Sequence, residues 1–580
     1  MTKRYLLPLA LLLPLFIEIT PADGQNAPPA DLIIHNAKVL TADGKFTIAQ
    51  AIAIKGDRIV AVGTNDLVLM HRRLNTKVID AKGRNVLPGL YDSHTHPTGA
   101  ATSEFDEEVP YLKSLEDVFA YIRNKTKVLP EGDWIVLRFA FPTRLKEARF
   151  PTLAELDAVA PNHPVYYNAG PASMANSMAL KVSKVTKDTP NPANGVIVKD
   201  PKTGELTGML RNASGVLRVV TKTKATGEDR REALKKLFAL YNSYGITSIS
   251  DRSASRGGFD LYHDLLSKDE LTVRINVCPN FSPYGTREEI AKRLDNLPGK
   301  DKKFGPTGAG GVWIRIGPIK FFLDGGMLNG TAYMRQPWPP GETYQIVEKD
   351  YRGLLFTPLE QVKILGEEAA KRGWAVTAHT AGEGAMDVLL DGYEFVDRIT
   401  PIKDLRFCIT HANFPSQQNL ERCKRLGVCA DVQPAWLYKD GETLNRVLGK
   451  ERIRWFQPYK SWLKYTTIGG GSDHMIKLHP RKATNPWDPW LGLETAVSRK
   501  LESGQVLVPE EALTREEALR LYTINNAYLG REEKEKGTLE AGKLADLIII
   551  DRDYLTCSGL GNTRVLTTIV GGRVVFERKE

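Results

Sequence analysis

The stretch between residues 245 and 470 alternates short apolar strands with helical segments, and this alternation is the strongest constraint on the fold. The apolar runs predict strands at 245–250, 313–317, 320–323, 374–378, 405–409, 428–432 and 466–469. The intervening patterns predict helices at about 229–244, 359–372, 383–398, 416–426 and 458–464. Repeated units of this length indicate an α/β fold with a parallel sheet covered by helices on its faces. If the sheet closes into a barrel, the active site is expected at the C-terminal ends of its strands.

Both ends of the chain show a different pattern, in which short alternating strands are separated by turn residues. Gly571-Gly572, near the C-terminus, is typical of a two-residue hairpin turn. We therefore expect one small β-sandwich built from 25–86 and 537–580, with a barrel domain at 87–536 between them. The region from about 100 to 230 does not follow the alternation, and it is interpreted as an inserted subdomain that caps the barrel mouth.

The N-terminus has the features of a secretory signal peptide. Lys3 and Arg4 precede an apolar run from Tyr5 to Ile17, and Ala22-Asp23-Gly24 supplies small residues for cleavage. Residues 1–24 are therefore expected to be removed on export to the periplasm or the exterior, with an uncleaved anchor as the alternative. No later segment has 18 consecutive apolar residues, so no stable membrane insertion is expected after cleavage.

Charge and cysteine content exclude several classes of protein. The net charge of +10 comes from 79 basic and 69 acidic residues, without a run of five consecutive Lys or Arg, so no nucleic-acid partner is expected. The five cysteines are odd in number and contain no C-x-x-C spacing, which argues against a disulfide framework and a cysteine zinc site. Buried free thiols are expected, with a Cys423–Cys429 pair as the alternative.

Candidate metal ligands follow the predicted strands in order. His94 and His96, at positions i and i+2 of one strand, point the same way and can hold one ion. Any one histidine is more often a hydrogen-bonded residue of the core, but their coincidence at successive strand ends favours a metal site. The remaining candidates each stand at the C-terminal end of a predicted strand: Lys320, His379, His411 and Asp473.

These residue types suit a hydrolytic metal centre. Neutral imidazoles and a carboxylate bind Zn²⁺ and similar ions, and two neighbouring cations lower the pKa of a shared water from 15.7 towards about 7. Asp473 can take up the proton and return it to the leaving group, and His411 is counted with it as a candidate catalytic residue. Lys320 fits such a cluster if CO₂ converts its amine into a bridging carbamate. The alternative is a cationic residue that binds substrate.

Leu87-Pro-Gly-Leu-Tyr-Asp-Ser-His-Thr-His96 resembles the first-strand motif of the amidohydrolase superfamily. Segments 320–325, 378–385, 409–412, 432–434, 471–473 and 485–490 resemble further motifs, in the branch that contains N-substituted formamide deformylases. The resemblance implies a distorted (β/α)₈ TIM-like barrel, a β-sandwich and two divalent metal ions, with zinc expected. By motif position, His94, His96 and Asp473 would hold one ion. His379 and His411 would hold the other, a carboxylated Lys320 would bridge both, and Asp473 would shuttle protons.

The expected reaction is hydrolysis of a C–N bond in a small-molecule amide, formamide or cyclic amide. Hydrolysis of an ester, lactone or phosphoester at the same site is an alternative, because one fold hosts many chemistries. A non-catalytic binding protein is a third hypothesis, although every expected ligand position is filled. A homodimer is left open. Five residues that follow strand ends are candidates for substrate contact, with ordinary packing at the barrel rim as the alternative. Arg335 among them would suit a carboxylate. The five are Gln433, Trp436, Tyr333, Arg335 and Asn413.

Overall fold

The computed structural model of the protein describes residues 27–220, 225–297 and 305–579. The predicted signal peptide at 1–24 lies outside these ranges, so export stays a prediction. In the described part of the chain, no helix has both the length and the apolar character needed to cross a bilayer.

The chain begins with seven strands: β1 (Leu32–His35), β2 (Lys38–Leu40), β3 (Ile48–Ala49), β4 (Ala51–Lys55), β5 (Arg58–Gly63), β6 (Lys77–Asp80) and β7 (Asn85–Pro88). Four of them form a sheet in the order β5-β4-β1-β6. Successive side chains of a strand point to opposite faces, and β1 buries both of its faces. Ile33 packs in a cluster with Val68, whereas Leu32 and Ile34 pack in a cluster that includes Leu547 near the C-terminus.

The first parallel strand, β8 (Leu90–Thr95), is followed by an inserted sheet. Its strands are β9 (Ile135–Leu137), β10 (Val165–Ala169), β11 (Ala172–Ala175), β12 (Val196–Lys199) and β13 (Leu206–Arg211), in the order β12-β13-β11-β10-β9. Gly170 and Pro171 connect β10 to β11. Gly170 has a φ of +82°, which suits the first position of a hairpin turn, and proline suits the negative φ of the second.

Two parallel sheets contain β8 and eight further strands, seven of which the alternation predicted; the strand at 274–279 was not predicted. They are β14 (Ile246–Ala254), β15 (Arg274–Pro279), β16 (Ile314–Ile316), β17 (Ile319–Phe322), β18 (Val376–Thr380), β19 (Cys408–His411), β20 (Cys429–Val432) and β21 (Ile468–Gly470). The orders are β16-β15-β14-β8 and β17-β18-β19-β20-β21. Single parallel bridges join the two sheets on both sides, between Asn280 and Lys320 and between Thr95 and His474. The fold is therefore α/β, as predicted.

Helices follow most of these strands. All five predicted helices begin within two residues of the expected start, at α6, α9, α10, α11 and α13. Side-chain caps explain several starts: Thr226 and Asp229 form a capping box at α6, and Ser416 and Asn419 form one at α11. The α-helices are α1 (Asn65–Leu69), α2 (Pro97–Thr102), α3 (Leu115–Thr126), α4 (Leu153–Val159), α5 (Ser177–Val182), α6 (Gly227–Ser243), α7 (Arg256–Ser267), α8 (Arg287–Asn296), α9 (Leu359–Lys371), α10 (Glu383–Asp397), α11 (Gln417–Leu426), α12 (Pro434–Ile453), α13 (Tyr459–Tyr465), α14 (Pro489–Ser498), α15 (Arg515–Leu521) and α16 (Ile524–Leu529).

Strands from both ends of the chain share one sheet. The C-terminal strands β22 (Leu547–Ile550), β23 (Val565–Val570) and β24 (Arg573–Glu577) extend the N-terminal ones in the order β24-β23-β22-β7-β2-β3. Gly571 and Gly572 have φ values of +55° and +72°. A two-residue hairpin turn of type I′ requires positive φ at both positions. The limits of the predicted sandwich, barrel domain and insert stay predictions.

A buried ion pair fastens this terminal sheet to the parallel strands. Arg274 on β15 contacts both carboxylate oxygens of Asp546, at 2.6 and 3.0 Å, and Asp546 also accepts a hydrogen bond from the backbone N–H of Gly571. A bidentate guanidinium–carboxylate pair of this kind fixes orientation as well as distance. The five cysteines are all free and four of them are buried, so the predicted free thiols are confirmed and Cys423 and Cys429 do not pair.

Candidate metal centre

Five of the six predicted ligands stand at or just beyond the C-terminal ends of parallel strands, and Lys320 is the second residue of its strand. His94 lies on β8 and His96 follows it, Lys320 lies on β17, His379 lies on β18, His411 ends β19, and Asp473 follows β21 by three residues. The carboxyl ends of parallel strands share one edge, so the side chains can converge. Four of them are buried, and His96 and His379 remain partly exposed to solvent.

His94, His96 and Asp473 form a group able to hold one metal ion. Nε2 of His94 lies 3.3 Å from Oδ1 of Asp473, and Nε2 of His96 lies 3.1 Å from the same oxygen. The three potential ligand atoms are within 4.8 Å of one another. Two imidazole nitrogens and one carboxylate oxygen in this arrangement match the donor set that zinc and similar ions prefer.

His379 and His411 adjoin this group. The ring centroid of His411 lies 4.7 Å from that of His94 and 4.4 Å from that of His379. Burial, together with the charge of Lys320, lowers the pKa of His379 to about 3. Burial, followed by neighbouring positive charge, also holds the pKa of His94 and of His411 well below its ordinary value. The imidazoles are therefore neutral at physiological pH, which is the form that binds metals.

Lys320 is a buried amine inside the same cluster. Burial lowers its pKa to about 8, with Arg252 adding repulsion and Asp431 and Asp473 opposing the shift. The side chain is 1% exposed. An uncharged amine is therefore accessible close to neutral pH, which is unusual for lysine.

Asp431, which the sequence analysis missed, orients two of the histidines. Its Oδ1 atom accepts hydrogen bonds from Nδ1 of His94 at 3.1 Å and from Nε2 of Gln433 at 2.7 Å. The amide oxygen of Gln433 lies 2.9 Å from Nδ1 of His411 and can accept its proton. Both imidazoles thereby carry their proton on Nδ1 and keep Nε2 free for a metal, the arrangement commonly found around ligating histidines. A charged residue in the apolar strand β20 was the signal available in the sequence.

Asp431 could also be counted as a ligand, because its carboxylate, His94 and His411 form a second compact group. Its surroundings favour the orienting role. Its Oδ1 atom is already occupied by two donors, and its Oδ2 atom lies 3.4 Å from the Arg252 guanidinium. A cation next to that oxygen opposes the approach of a metal ion by charge repulsion.

Backbone strain and the carboxylate of Asp92 set the positions of the candidate ligands on β8, on β19 and after β21. His411 and Asp473 have φ values of +75° and +57°, which are uncommon for residues other than glycine and are concentrated at functional sites. Oδ1 of Asp92 accepts hydrogen bonds from the backbone N–H groups of His94 and Ser472, at 3.0 and 2.9 Å. Asp92 therefore holds the residues next to both strand ends together.

Asn485, another residue missed as a site residue, fixes the carboxylate of Asp473. Its Nδ2 atom donates to Oδ2 of Asp473 at 3.0 Å and to the backbone oxygen of Asp473 at 2.8 Å. Because Asn485 binds one carboxylate oxygen, the other is directed at His94 and His96. The sequence placed Asn485 in a motif without giving its contact.

The five residues nominated for substrate contact fall in different surroundings. Trp436 stacks on His411 with centroids 4.8 Å apart. Among the described residues, no acceptor is found for the indole N–H of Trp436 or for the Nδ2 group of Asn413. Gln433 is fully buried and orients His411, and Tyr333 is half-buried next to Asp324. Arg335 forms an ion pair with Asp387, so a substrate carboxylate would have to compete with that partner.

Removing the charge of Asp431 is expected to weaken metal binding. In Asp431→Asn, the affinity for Zn²⁺ should fall by about 10- to 100-fold. The hydrogen bond that holds the proton of His94 on Nδ1 would then have a neutral acceptor instead of a carboxylate. Competition with a chromophoric chelator measures this affinity on metal-stripped protein. Asp264→Asn, on the exposed face of α7, is the matched control. Unchanged affinity in Asp431→Asn would contradict the orienting role.

Comparisons with known proteins agree with this geometry. The sequence profile of the amidohydrolase family matches residues 77–576. The chain is 30% identical over 561 residues to the N-substituted formamide deformylase of Arthrobacter pascens, covering 94% of this chain and 98% of that protein. It is 26% identical to protein LONG AFTER FAR-RED 3 of Arabidopsis thaliana, covering 94% and 92%. A solved structure of an uncharacterized metal-dependent hydrolase from Pyrococcus horikoshii OT3 superposes with a TM-score of 0.65 at 24% identity, covering 92% and 99%. The chain therefore belongs to the amidohydrolase family and is a hydrolase that acts on carbon–nitrogen bonds.

Proposed function

We propose that the protein hydrolyses the C–N bond of a small amide, formamide or cyclic amide at a centre for two divalent metal ions, with zinc expected. The observation that carries the proposal is the convergence of neutral imidazoles, one carboxylate and one buried amine at a single strand edge. His94, His96 and Asp473 would hold one ion, and His379 and His411 would hold the other. The deformylase activity in the name of the A. pascens relative favours formamides among these substrates.

We also propose that Lys320 is carboxylated and connects the two ions. The uncharged amine forms a bond from Nζ to the carbon of CO₂ and releases one proton, which leaves a carbamate anion. The lowered pKa of Lys320 supports this step, because only the uncharged amine reacts with CO₂. A carbamate turns a buried cation, which would repel metal ions, into an anion with two oxygen ligands.

The two bridges between the parallel sheets support a closed barrel. Lys320 takes part in one bridge, and the other joins Thr95, which lies between His94 and His96, to His474, which follows Asp473. We propose that the candidate ligands therefore surround the mouth of a distorted (β/α)₈ barrel, which is where barrel enzymes have their active sites.

The residues of the chain provide proton transfer and orientation. Divalent metal ions at such a site supply a water nucleophile that is deprotonated at neutral pH, and they polarise a carbonyl group. Burial raises the pKa of Asp473, so its carboxylate accepts a proton more readily than an exposed aspartate does. Asp473 would take the proton from the attacking water and deliver it to the departing nitrogen, as general acid–base catalysis requires. Asn485 holds the carboxylate in place during this transfer.

The test is a hydrolysis screen with metal-loaded and metal-stripped protein. Formamides, linear amides and cyclic amides are compared with esters, lactones and phosphoesters of matched size. We expect release of amine from at least one C–N substrate, a loss of about 100-fold or more after stripping, and recovery on adding Zn²⁺. Hydrolysis of esters or phosphoesters alone would overturn the proposed substrate class. Retained amide hydrolysis without metal would overturn the metal centre.

A further inference from the structure

A cavity of about 1040 Å³ lies between the inserted segment and the long helix α12. Its walls come from β9 with the residues that follow it up to 148, from one side of α12, and from residues 482–484. Gly99 and Thr102 on α2 also line it, and α2 begins directly after His96. The cavity is therefore built from segments that follow ligand-bearing strands.

A chain of hydrogen bonds connects the wall of the cavity to the candidate metal centre. Arg144, on the wall, donates from Nη1 to Oδ1 of Asn485 at 3.1 Å, and Asn485 binds the Asp473 carboxylate. The guanidinium of Arg144 is fixed by both oxygens of the buried Asp440, at 2.9 and 2.8 Å. Arg144 and Asn485 thus link the cavity wall to Asp473 by hydrogen bonds, which relates a ligand bound in the cavity to the candidate site of hydrolysis.

The lining of the cavity carries an excess of unpaired positive charge. Within the described ranges, six lining cations form no ion pair: Lys113, Arg138, Lys146, Arg230, Arg446 and Lys482. Of the lining carboxylates in these ranges, Glu107, Glu108 and Glu502 are each paired with a lysine, whereas Asp133 and Glu442 form no ion pair. A cleft whose lining has an excess of one sign of charge concentrates ligands of the opposite sign.

Aromatic side chains accompany the charges. The same cavity is lined by Tyr121, Phe139 and Phe141. Phe141 is buried, and the guanidinium of Arg144 lies 4.9 Å from its ring centroid. A ligand that has both an apolar ring and a negative group would therefore find partners for each. Arg335 does not offer such a site, since it is paired with Asp387.

We propose that this cavity binds a negatively charged part of the substrate, remote from the bond that is cleaved. The substrates are therefore amides or formamides that carry a carboxylate or a comparable anionic group next to an aromatic or apolar portion. The assignment of the bound anion to a substrate rests on the proposed C–N hydrolysis. The binding of the anion itself can be measured without turnover.

The test uses two ligands of nearly the same shape, of which only the first carries a negative charge: 4-(formamidomethyl)benzoate and 4-(formamidomethyl)benzamide. Isothermal titration with full-length protein, both metal-loaded and metal-stripped, measures binding apart from catalysis. We expect the carboxylate to bind about tenfold more tightly than the carboxamide, and this preference to shrink as the ionic strength rises from about 0.05 M to about 0.5 M. Equal binding of the two ligands, or no binding of the carboxylate at millimolar concentration, would overturn the proposal.

Charge reversal locates the site. Arg138→Glu combined with Arg446→Glu should weaken binding of the benzoate about tenfold and leave binding of the benzamide unchanged. Lys55→Glu combined with Lys199→Glu changes the net charge equally at exposed positions outside the cavity, and it should alter neither affinity. Equal losses of benzoate affinity in both double variants would assign the effect to overall charge and contradict binding in the cavity. If the benzoate binds as expected and no formamide is hydrolysed, the proposed function fails while the anion site stands.

Discussion

Replacing Lys320 by alanine is expected to lower the metal content of the protein from about two ions per chain to one or fewer. The reason is the position of this amine, which is buried in the centre of the histidine cluster and has a pKa lowered to about 8. Its carbamate would connect the two groups of ligands, and alanine offers no donor. Elemental analysis of purified wild-type and variant protein measures the effect directly.

Two further measurements separate the carbamate from a simple structural role of Lys320. Metal-stripped wild-type protein should regain its metal faster in the presence of bicarbonate. In Lys320→Ala, a small carboxylate such as acetate should restore part of the metal content, because it can occupy the space of the carbamate. Lys371→Ala, a change on the exposed face of α9, serves as the control. One ion in both wild type and Lys320→Ala would indicate a mononuclear site and would assign Lys320 to substrate binding.

Replacing Asp473 by asparagine is expected to reduce kcat by about 100- to 10 000-fold on the best C–N substrate. Asparagine keeps the size and shape of the side chain, but it cannot take up and return a proton. Its burial, which raises the pKa of the carboxyl group, is what fits Asp473 for that transfer. Turnover is measured together with metal content in the same preparation, so that loss of metal is not mistaken for loss of proton transfer.

The control for this variant is Asp551→Asn, which removes an exposed carboxylate in the C-terminal part of the chain and none of the candidate metal ligands. It should keep full activity. If Asp473→Asn retains its metal and more than about a tenth of wild-type kcat, another group carries the proton and the assigned role of Asp473 is wrong.

Hydrophobic alternation predicted seven of the parallel strands between 245 and 470, but not β15. The predicted strand at 428–432 coincides with β20, and the predicted helices at 359–372 and 383–398 coincide with α9 and α10. The pattern of apolar residues is a local property, and it survives in the structure because α9 and α10 each bury an apolar face and β20 is buried along its whole length. Helix α12, with 20 residues, was not predicted. It contains Gly441 and a break in helical geometry at Gly449, and both weaken its periodic pattern.

The sequence by itself determined the types of ligand and the strand ends on which they stand, because a histidine or aspartate after an apolar strand can be recognised without knowing its neighbours. Only the tertiary structure decided which residues control those ligands. Asp431 meets His94 across 337 residues of chain, and Arg144 reaches Asn485 from the inserted segment. The pairing of Arg335 with Asp387 was likewise hidden in the sequence. Hydrogen bonds and ion pairs depend on distances of about 3 Å, which are set by the packing of the whole chain rather than by any local pattern.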